Sequence, residues 1–566
     1  DQGAHAREQG HMGRDRPVGL GQPPGQEGDR PGALQPGTDD QYQRDGDRRR
    51  WGARRRSAEM NTRKRLQALR REPSPVAAAA AEVEAMPHHP ACIVGGGQMC
   101  EHALVDRDLN RLLFDYERKV RSRFTRIVDV LTRISAHQHD ESFIERSQQL
   151  AREQLGFDLP AQLLEDAWVC GLDLSALHSR CIFSALKSSV ENAQAEQVGW
   201  RQRVPLDENF LRSCGYHTVD ISPCSDGRLQ GVSPYVLRIL PGPNVRVKAY
   251  AGALFDVEAD VADWARREVQ RLSGAMVDGD RLNFLKIAVY HFSSSSPDGH
   301  GCAAHGSNDR QATQAALQRL HELRAAVDQT FGAGAAPDVL LVGVDTDLDA
   351  LRIHLPDGFG ELNAHRYFET AQVYRDTLGL PSDAARTRIA EIVAGAEGMG
   401  GWGQGNGRMN EGVRRLVLAL AEANLSQIEY VIKHHTGRYK TIGHDEECIV
   451  AGHAVRSLQL RNLFYFAHLD TIEEGAPDMD VGIKIFAKLN VAHGLPVPVL
   501  VHFEYDARIP QSRERAIARG RRVRDAIEAR YPDLAARGLL NCAIAVSERA
   551  GDETCVFVAD DPVDDH

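Results

Sequence analysis

The chain contains no run of about eighteen apolar residues, so no membrane-spanning helix is expected. It has no charged-then-apolar start before a cleavage site, so no secretory signal is expected either. With a net charge of −11 it lacks the positive excess of a general nucleic-acid binder. Its 10 cysteines are sparse for 566 residues, and none form a CxxC pair. Those absences point to a reducing cytosolic setting with free thiols, a few of them on a metal.

Residues 1 to about 90 have almost no aliphatics. Rich in Gly, Pro, Gln, Asp and Arg, they cannot bury a core, which predicts a disordered N-terminal arm. Within them lie "RRRWGARRRS" and "MNTRKRLQALRREPSP". The composition before Met60 marks that methionine as the expected natural start. The basic block reads either as a solvated tail or as a short peptide that docks on an acidic partner.

What is present begins with helices, expected as a domain over 91–198. "NRLLFDYERKVRSRFTRIVDVLTRI" places Leu112, Tyr116, Val120, Phe124, Ile127 and Leu131 at three- and four-residue steps. From about 199 strands and helices alternate, the pattern of an α/β domain, expected over 199–445. "HTVDIS" runs into Cys224, and "LKIAVYHF" reads as a buried strand ending at His291. One helix buries Val261, Trp264, Ala265 and Leu272; the next buries Leu317, Leu320, Leu323, Val327 and Phe331. "DVLLVGVDTDLDALRIHLP" reads as strand, turn and strand, with Asp345 and Asp347 as turn residues.

The last part, 446–566, repeats this order. "VPVLVHFEY" mimics "KIAVYHF" with His502 opposite His291, and "CAIAVSERAGDETCVFVADD" matches "DVLLVGVDTDLDALRIHLPD" without a gap. The shared helix steps favour a true duplication over chance likeness. The expected fold is thus a helical domain, an α/β domain and a degenerate repeat of it.

The chemistry concentrates in "DISPCSDGR". Cys224, His291 and Cys302 offer two thiolates and one imidazole, a three-ligand zinc set with a fourth position open to water. Cys214, His217, His300 and His305 are spare donors, so a closed structural zinc, completed by His217 or Cys214, remains an alternative; spacing alone does not exclude unrelated buried cysteines. Asp226 lies two residues past Cys224, and Arg228 two further on can clamp it through a bidentate pair. Held so, Asp226 stays ionised and directs an oxygen at a metal-held water, whose pKa zinc lowers toward ~7.

Cys-x-Asp-x-Arg, then a strand ending in His and a later Cys, resembles the β-carbonic anhydrase site. That family spaces its second pair as His-x-x-Cys, whereas ten residues separate His291 from Cys302 here. The long loop, the helices in front, the repeat behind, and "DISPCSDGR", "KAYAGALFDVE" and "CAAHGSNDR" together resemble the carboxysomal shell carbonic anhydrases over about 95–566. The resemblance implies one Zn2+ per chain on Cys224, His291 and Cys302, with Asp226 and Arg228 as the catalytic dyad. It implies reversible hydration of CO2 to bicarbonate, supplying CO2 to Rubisco. It also implies a homo-oligomer built from dimers, cytoplasmic residence inside a carboxysome, and contact with Rubisco or shell protein through the N-terminal arm, with Arg63 to Arg71 as the candidate contact. No nucleic-acid or membrane partner is expected. Asp226 swinging onto the metal is an alternative state in the family, one that an anionic metabolite or thiol oxidation could drive. A scaffold with a vestigial or structural zinc site is the competing function.

Placing Ile449 over Ile221 puts Gly452 at the cysteine, Ala454 at the aspartate and Arg456 at the arginine, and the loop carrying Cys302 is missing. The repeat is therefore expected to bind no zinc and to supply the face that a dimer partner provides elsewhere. Among lesser signals, His444 in "IGHDEE" is a candidate proton shuttle, and His305 a candidate second-layer partner of the metal ligands. His434 and His435 are expected to cap the carbonyls of a helix end, and "GAEGMGGWGQGNGR" reads as a loop.

Overall fold

Strands β3 (Asn283–Phe292) and β4 (Asp338–Asp345) are near-continuous apolar runs, and β1 (Tyr216–Pro223) is buried along its whole length although polar residues interrupt it. Such runs suit a parallel sheet covered on both faces. In the computed structural model the described residues are 102–566, apart from 274–281, 298, 357–360, 399–408, 436–438, 440–441, 470–474, 550–554 and 559–566. The expected N-terminal arm, its basic stretch and most of the glycine-rich loop lie outside the described residues.

The chain opens with α1 (Arg107–Thr125), α2 (Ile127–Ala136), α3 (Phe143–Gln154), α4 (Ala161–Cys170) and α5 (Leu174–Arg201). Asp106 caps α1 by accepting the Leu109 N–H at 2.9 Å, and Asp173 caps α5. The apolar stripe faces inward as its spacing requires, although Leu112 is only half-buried. These helices pack on both later parts of the chain. The Tyr116 hydroxyl donates to the Ser457 carbonyl at 2.7 Å, and the Asn110 amide to the Ser426 carbonyl at 2.8 Å.

The middle region comprises α6 (Glu208–Ser213), β1, β2 (Val245–Val247), α7 (Val257–Leu272), β3, α8 (Asp309–Phe331), β4, β5 (Ala350–His354), β6 (Tyr367–Glu369), α9 (Thr370–Thr377), α10 (Ser382–Gly398) and α11 (Glu411–His434). Its sheet runs β2-β1-β3-β4-β5-β6, parallel across the first four strands and antiparallel beyond. Trp264, Leu320, Leu323 and Val327 are buried as expected. Leu272 and Phe331 are not: they are 73% and 49% exposed, each being the last residue of its helix. Lys286, in the middle of buried β3, is fully buried too. Its ammonium donates to Asp220 at 2.6 Å and to the Ser222 hydroxyl at 2.8 Å, and it pairs with Asp260. Three partners replace the water lost to burial.

The last region holds β7 (Cys448–Gly452), β8 (Phe464–His468), α12 (Gly475–Leu489), β9 (Val497–Tyr505), α13 (Ser512–Arg530), α14 (Pro532–Ala536), β10 (Leu540–Glu548) and β11 (Val556–Phe557). Its sheet order, β8-β7-β9-β10-β11, reproduces β2-β1-β3-β4-β5 strand for strand, including the single antiparallel partner at the end.

The register corrects the residue matching. Cys224 N–H donates to Val289 O at 3.1 Å, and the same bond in the repeat runs from His453 N–H to His502 O at 2.7 Å. Ile221 lies opposite Ile287, as Val450 lies opposite Leu500. His502 therefore stands at the place of Val289, and Glu504 at that of His291. His453 replaces Cys224, Val455 replaces Asp226 and Ser457 replaces Arg228, so no member of the constellation persists. The histidine match is off by two residues, a slip that a period-two likeness between strands survives, and the match of Ile449 to Ile221 is off by one.

The repeat packs directly behind the β1 terminus. Asn462 N–H donates to Gly227 O at 2.7 Å, Phe466 N–H to Ser225 O at 3.3 Å and His468 N–H to Ala249 O at 2.9 Å. Ala251 N–H donates to the Asp478 carboxylate at 3.2 Å, and burial raises that carboxyl to about 6. A raised carboxyl stabilises the fold when protonated, and that stability is lost as pH rises from the unfolded value through about 6. Asp478→Asn is accordingly expected to stabilise the protein at pH 8 by about 1–3 kcal/mol and to give no gain near pH 4, read by urea denaturation at the two pH values.

Candidate metal centre

Pro223 ends β1, and the bond from Cys224 N–H to Val289 O fixes the cysteine beside β3. His291 is the penultimate residue of β3 and is fully buried. Cys302 closes the loop that follows. The ligand atoms of Cys224, His291 and Cys302 lie within 4.8 Å of one another, and all three residues are buried.

The Cys224 and Cys302 sulfurs are 3.8 Å apart. Two thiolates bound tetrahedrally at about 2.3 Å from one zinc would sit about 3.8 Å from each other. Neither ring nitrogen of His291 has a hydrogen-bond partner, although both are buried. A buried imidazole without partners is costly unless it binds something else. The residues present therefore fit a divalent metal of the zinc type.

The thiols carry the same message. The Cys302 sulfur, and then burial, push the Cys224 thiol well above its ordinary value. The Cys302 thiol is lowered, first by the hydrogen bond from Cys224 and also by the Ala304 and His305 amides. Two thiolates this close in a buried site repel each other, and a cation held between them favours ionisation of both. Gly252 N–H, 3.3 Å from the Cys224 sulfur, favours the ionised form. Gly252 has φ +69°, and a Cβ there would lie 2.6 Å from His305 Nε2. His305 Nε2 lies 3.2 Å from the carbonyl of Gly252, the residue whose N–H faces the Cys224 sulfur.

Asp226 is clamped as its spacing to Arg228 suggests. Oδ1 accepts from the Arg228 backbone N–H at 2.9 Å and from Nε at 3.0 Å, while Oδ2 accepts from Nη2 at 2.8 Å. Burial works against ionisation, but the Arg228 charge and then His291 overcome it and hold this carboxyl well below the usual range. Oδ2 also lies 3.7 Å from His291 Nε2, on the side where the ligands converge.

His444 and Glu446 form a second acidic group with Asp226. His444 Nδ1 is 2.9 Å from Glu446 Oε1. Burial opposes protonation of His444, yet the Glu446 bond and the Asp226 charge raise its pKa. Glu446 is fully buried against Gly227, where a Cβ would collide with its carboxylate.

Three family models match the chain in succession: the N-terminal domain of carboxysome shell carbonic anhydrase over 102–194, its catalytic domain over 206–444 and its C-terminal domain over 445–561. The chain belongs to the carboxysome shell carbonic anhydrase family. The carboxysome shell carbonic anhydrase of Halothiobacillus neapolitanus is 43% identical over 462 residues, covering 81% of this chain and 90% of that protein. Those of Prochlorococcus marinus (strain MIT 9313) and Hydrogenovibrio crunogenus are 42% and 38% identical, over 82% and 78% of this chain and 90% and 83% of theirs. As a family member the chain is an enzyme that interconverts CO2 and bicarbonate.

Other sequence expectations sort differently. His217 bonds Glu268 at 2.9 Å and Thr218, so the structure does not bring it to the cysteines. Cys214 precedes β1, at the opposite end of that strand from Cys224, and is not grouped with the ligands. The rings of His434 and His435 do not cap carbonyls: His434 stacks on Phe114 with centroids 4.2 Å apart, and the His435 ring approaches Glu117 at 3.6 Å. Both are drawn inward by the aromatic cluster around Tyr430. The Gly252 contact escaped the sequence because a backbone N–H leaves no residue signature.

Metal uptake by this site must displace the shared thiol protons. Calorimetric zinc titration in buffers of differing ionisation enthalpy is expected to show between one and two protons released per metal at pH 7. Cys224→Ser should lower that number and weaken binding.

Proposed function

We propose that this chain binds one Zn2+ through Cys224, His291 and Cys302, and that Asp226 and Arg228 are its catalytic dyad. The observation that carries the reading is the partnerless His291 ring beside two thiols at tetrahedral spacing, next to an ionised, clamped carboxylate. Zinc supplies a Lewis acid that makes water nucleophilic at neutral pH. The reaction is CO2 + H2O ⇌ HCO3− + H+. Asp226 Oδ2 accepts a hydrogen bond from the attacking water and so turns its lone pair toward the carbon of CO2. Arg228 prevents Asp226 from rotating onto the metal or taking up the proton itself. His444, held through Nδ1 by Glu446 and partly open to solvent, carries the released proton outward. In the dehydration direction the same groups run in reverse.

The repeat, by this reading, holds no metal. His502 is engaged by the His453 carbonyl at 2.9 Å and the Ser547 hydroxyl at 2.8 Å, and His453 Nδ1 accepts the Glu504 N–H. Its sheet covers 225–228 as a partner subunit would. Residence in a carboxysome follows from the family; assembly from dimers and attachment to Rubisco or shell protein through the N-terminal arm belong to the proposal. The domain limits 1–90, 91–198, 199–445 and 446–566 are part of the same proposal.

An anionic effector has a candidate place. A cleft between the catalytic region and the repeat is lined by Arg246, Lys248, Arg267, Arg456 and Arg549, with Glu504 as an acidic member. Burial, then Arg246 and Arg549, lower Arg267 to about 10. Arg246 pairs with Asp263, Lys248 with Asp260, and Arg456 and Arg549 with Glu504, so a multivalent anion would be held chiefly through Arg267. The segment beyond Lys248 leads to Tyr250, whose N–H bonds Pro223 O at 3.0 Å, and to the Gly252 amide on Cys224.

Stopped-flow proton release is the direct test. Cys224→Ser should lose both zinc and rapid CO2 hydration, while Asp226→Asn should keep zinc and lose about 10²-fold or more in kcat. Tight zinc without hydration in the wild-type chain would refute the proposal. For the cleft, inorganic pyrophosphate is expected to raise the Tm of the wild-type protein and to have no effect on Arg267→Gln; an equal response from both would exclude Arg267 from the site.

A further inference from the structure

Ten residues join His291 to Cys302, and a metal site tolerates little error in ligand position. A loop that long must be anchored at both ends for its ligands to meet. At the Cys302 end, Arg228 Nη1 donates to His300 O at 2.6 Å and Nη2 to Gly301 O at 3.3 Å. At the His291 end, the anchor is the turn between β4 and β5. Asp347 accepts the Ser293 hydroxyl at 3.0 Å and the Ser295 N–H at 2.7 Å, and Thr346 N–H donates to Phe292 O at 2.9 Å.

That turn is itself fixed from the other half of the duplication. Arg461, in the degenerate repeat, is buried with its guanidinium 3.6 Å above the Tyr439 ring. Its Nη2 donates to Thr346 O at 2.8 Å and its Nη1 pairs with Asp349. Asp349 sits at φ +51°, a strained conformation for a non-glycine residue that must be held by its surroundings. Nη1 also reaches Arg228 O at 3.4 Å. One guanidinium thus grips both the turn that anchors the loop beyond His291 and the backbone of Arg228, which anchors the loop before Cys302.

We propose that Arg461 is a positioning residue for the metal loop: acting through Thr346, Asp349 and Arg228, it holds the loop at 293–295 and at 300–301, the two ends whose placement brings His291 and Cys302 together. It touches neither metal nor substrate. Lysine cannot replace it, because a point charge cannot span three acceptors in a plane. The inference rests on the proposed zinc site.

The test compares wild type, Arg461→Lys, Asp347→Asn and the double variant Arg461→Met/Asp349→Asn, which removes the buried charge that Arg461→Met alone would strand. Amide hydrogen exchange of 292–302 is measured on the metal-free proteins, then zinc release to a chelator and kcat and KM on the loaded ones. Expected are faster exchange confined to that loop, zinc affinity or kcat lower by about 10–100-fold, and an unchanged pH profile and KM. Asp347→Asn should add little to the double variant, since both act on one chain of contacts. Folded variants with wild-type loop exchange and zinc release would overturn the inference, as would fully additive losses. A wild-type chain that binds no zinc, with loop exchange still dependent on Arg461, would instead sink the site reading and leave the anchoring role standing.

Discussion

The buried guanidinium of Arg228 is the interaction on which the site depends. It neutralises Asp226, a carboxylate with almost no water around it, and with its remaining hydrogens holds the two carbonyls that precede Cys302. Breaking a buried pair by removing one partner is far more costly than never having built it, because the other charge is left bare. Arg228 therefore couples the electrostatics of the dyad to the shape of the metal loop. A residue that relaxed the clamp on Asp226 would also loosen Cys302. Any state in which Asp226 turns onto the metal must find new partners for a buried cation, which makes that state a discrete alternative rather than a gradual drift.

The degenerate half extends the same logic. In structural register it carries His453 and Glu504 at the places of Cys224 and His291, and Val455 and Ser457 at those of Asp226 and Arg228. The amides of Asn462, Phe466 and His468 satisfy carbonyls at 225, 227 and 249, backbone groups that would otherwise be buried without partners beside Cys224. Those carbonyls belong to the segments that position the ligand, the dyad and the Gly252 amide.

The candidate constellation was legible because it is local and chemically loud: Cys224, Asp226 and Arg228 share one turn, and the two later candidate ligands, His291 and Cys302, follow a strand end and a loop. The alternation of strands and helices and the duplication were legible for the same reason, since periodicity is a local property. The failures are long-range. Leu272 and Phe331 carry the right helical phase, but only the tertiary surroundings decide whether a helix end is covered. The two-residue slip at His502 preserves the inward-outward alternation, so only the hydrogen-bond ladder exposes it. Lys286 in a strand buried on both faces, and the rings of His434 and His435, are polar groups whose partners come from elements distant in sequence. His444 and His305 were found as candidates, but their distinct places, one beside Asp226 and one behind the Gly252 peptide, are tertiary facts.

These constraints explain how a ligand loop of ten residues can stand where a short spacing serves the β-carbonic anhydrase pattern. A His-x-x-Cys segment fixes its second ligand through the chain itself. Here that covalent restraint is absent, and the entropy of the longer loop grows only slowly with its length. What must be supplied instead is direction, and the structure supplies it from outside the loop: Asp347 at one end, Arg228 at the other, both tied to Arg461. The anchors come from both halves of the duplication. A half without the candidate ligands can therefore still be required by the half that carries them, through a few buried polar contacts.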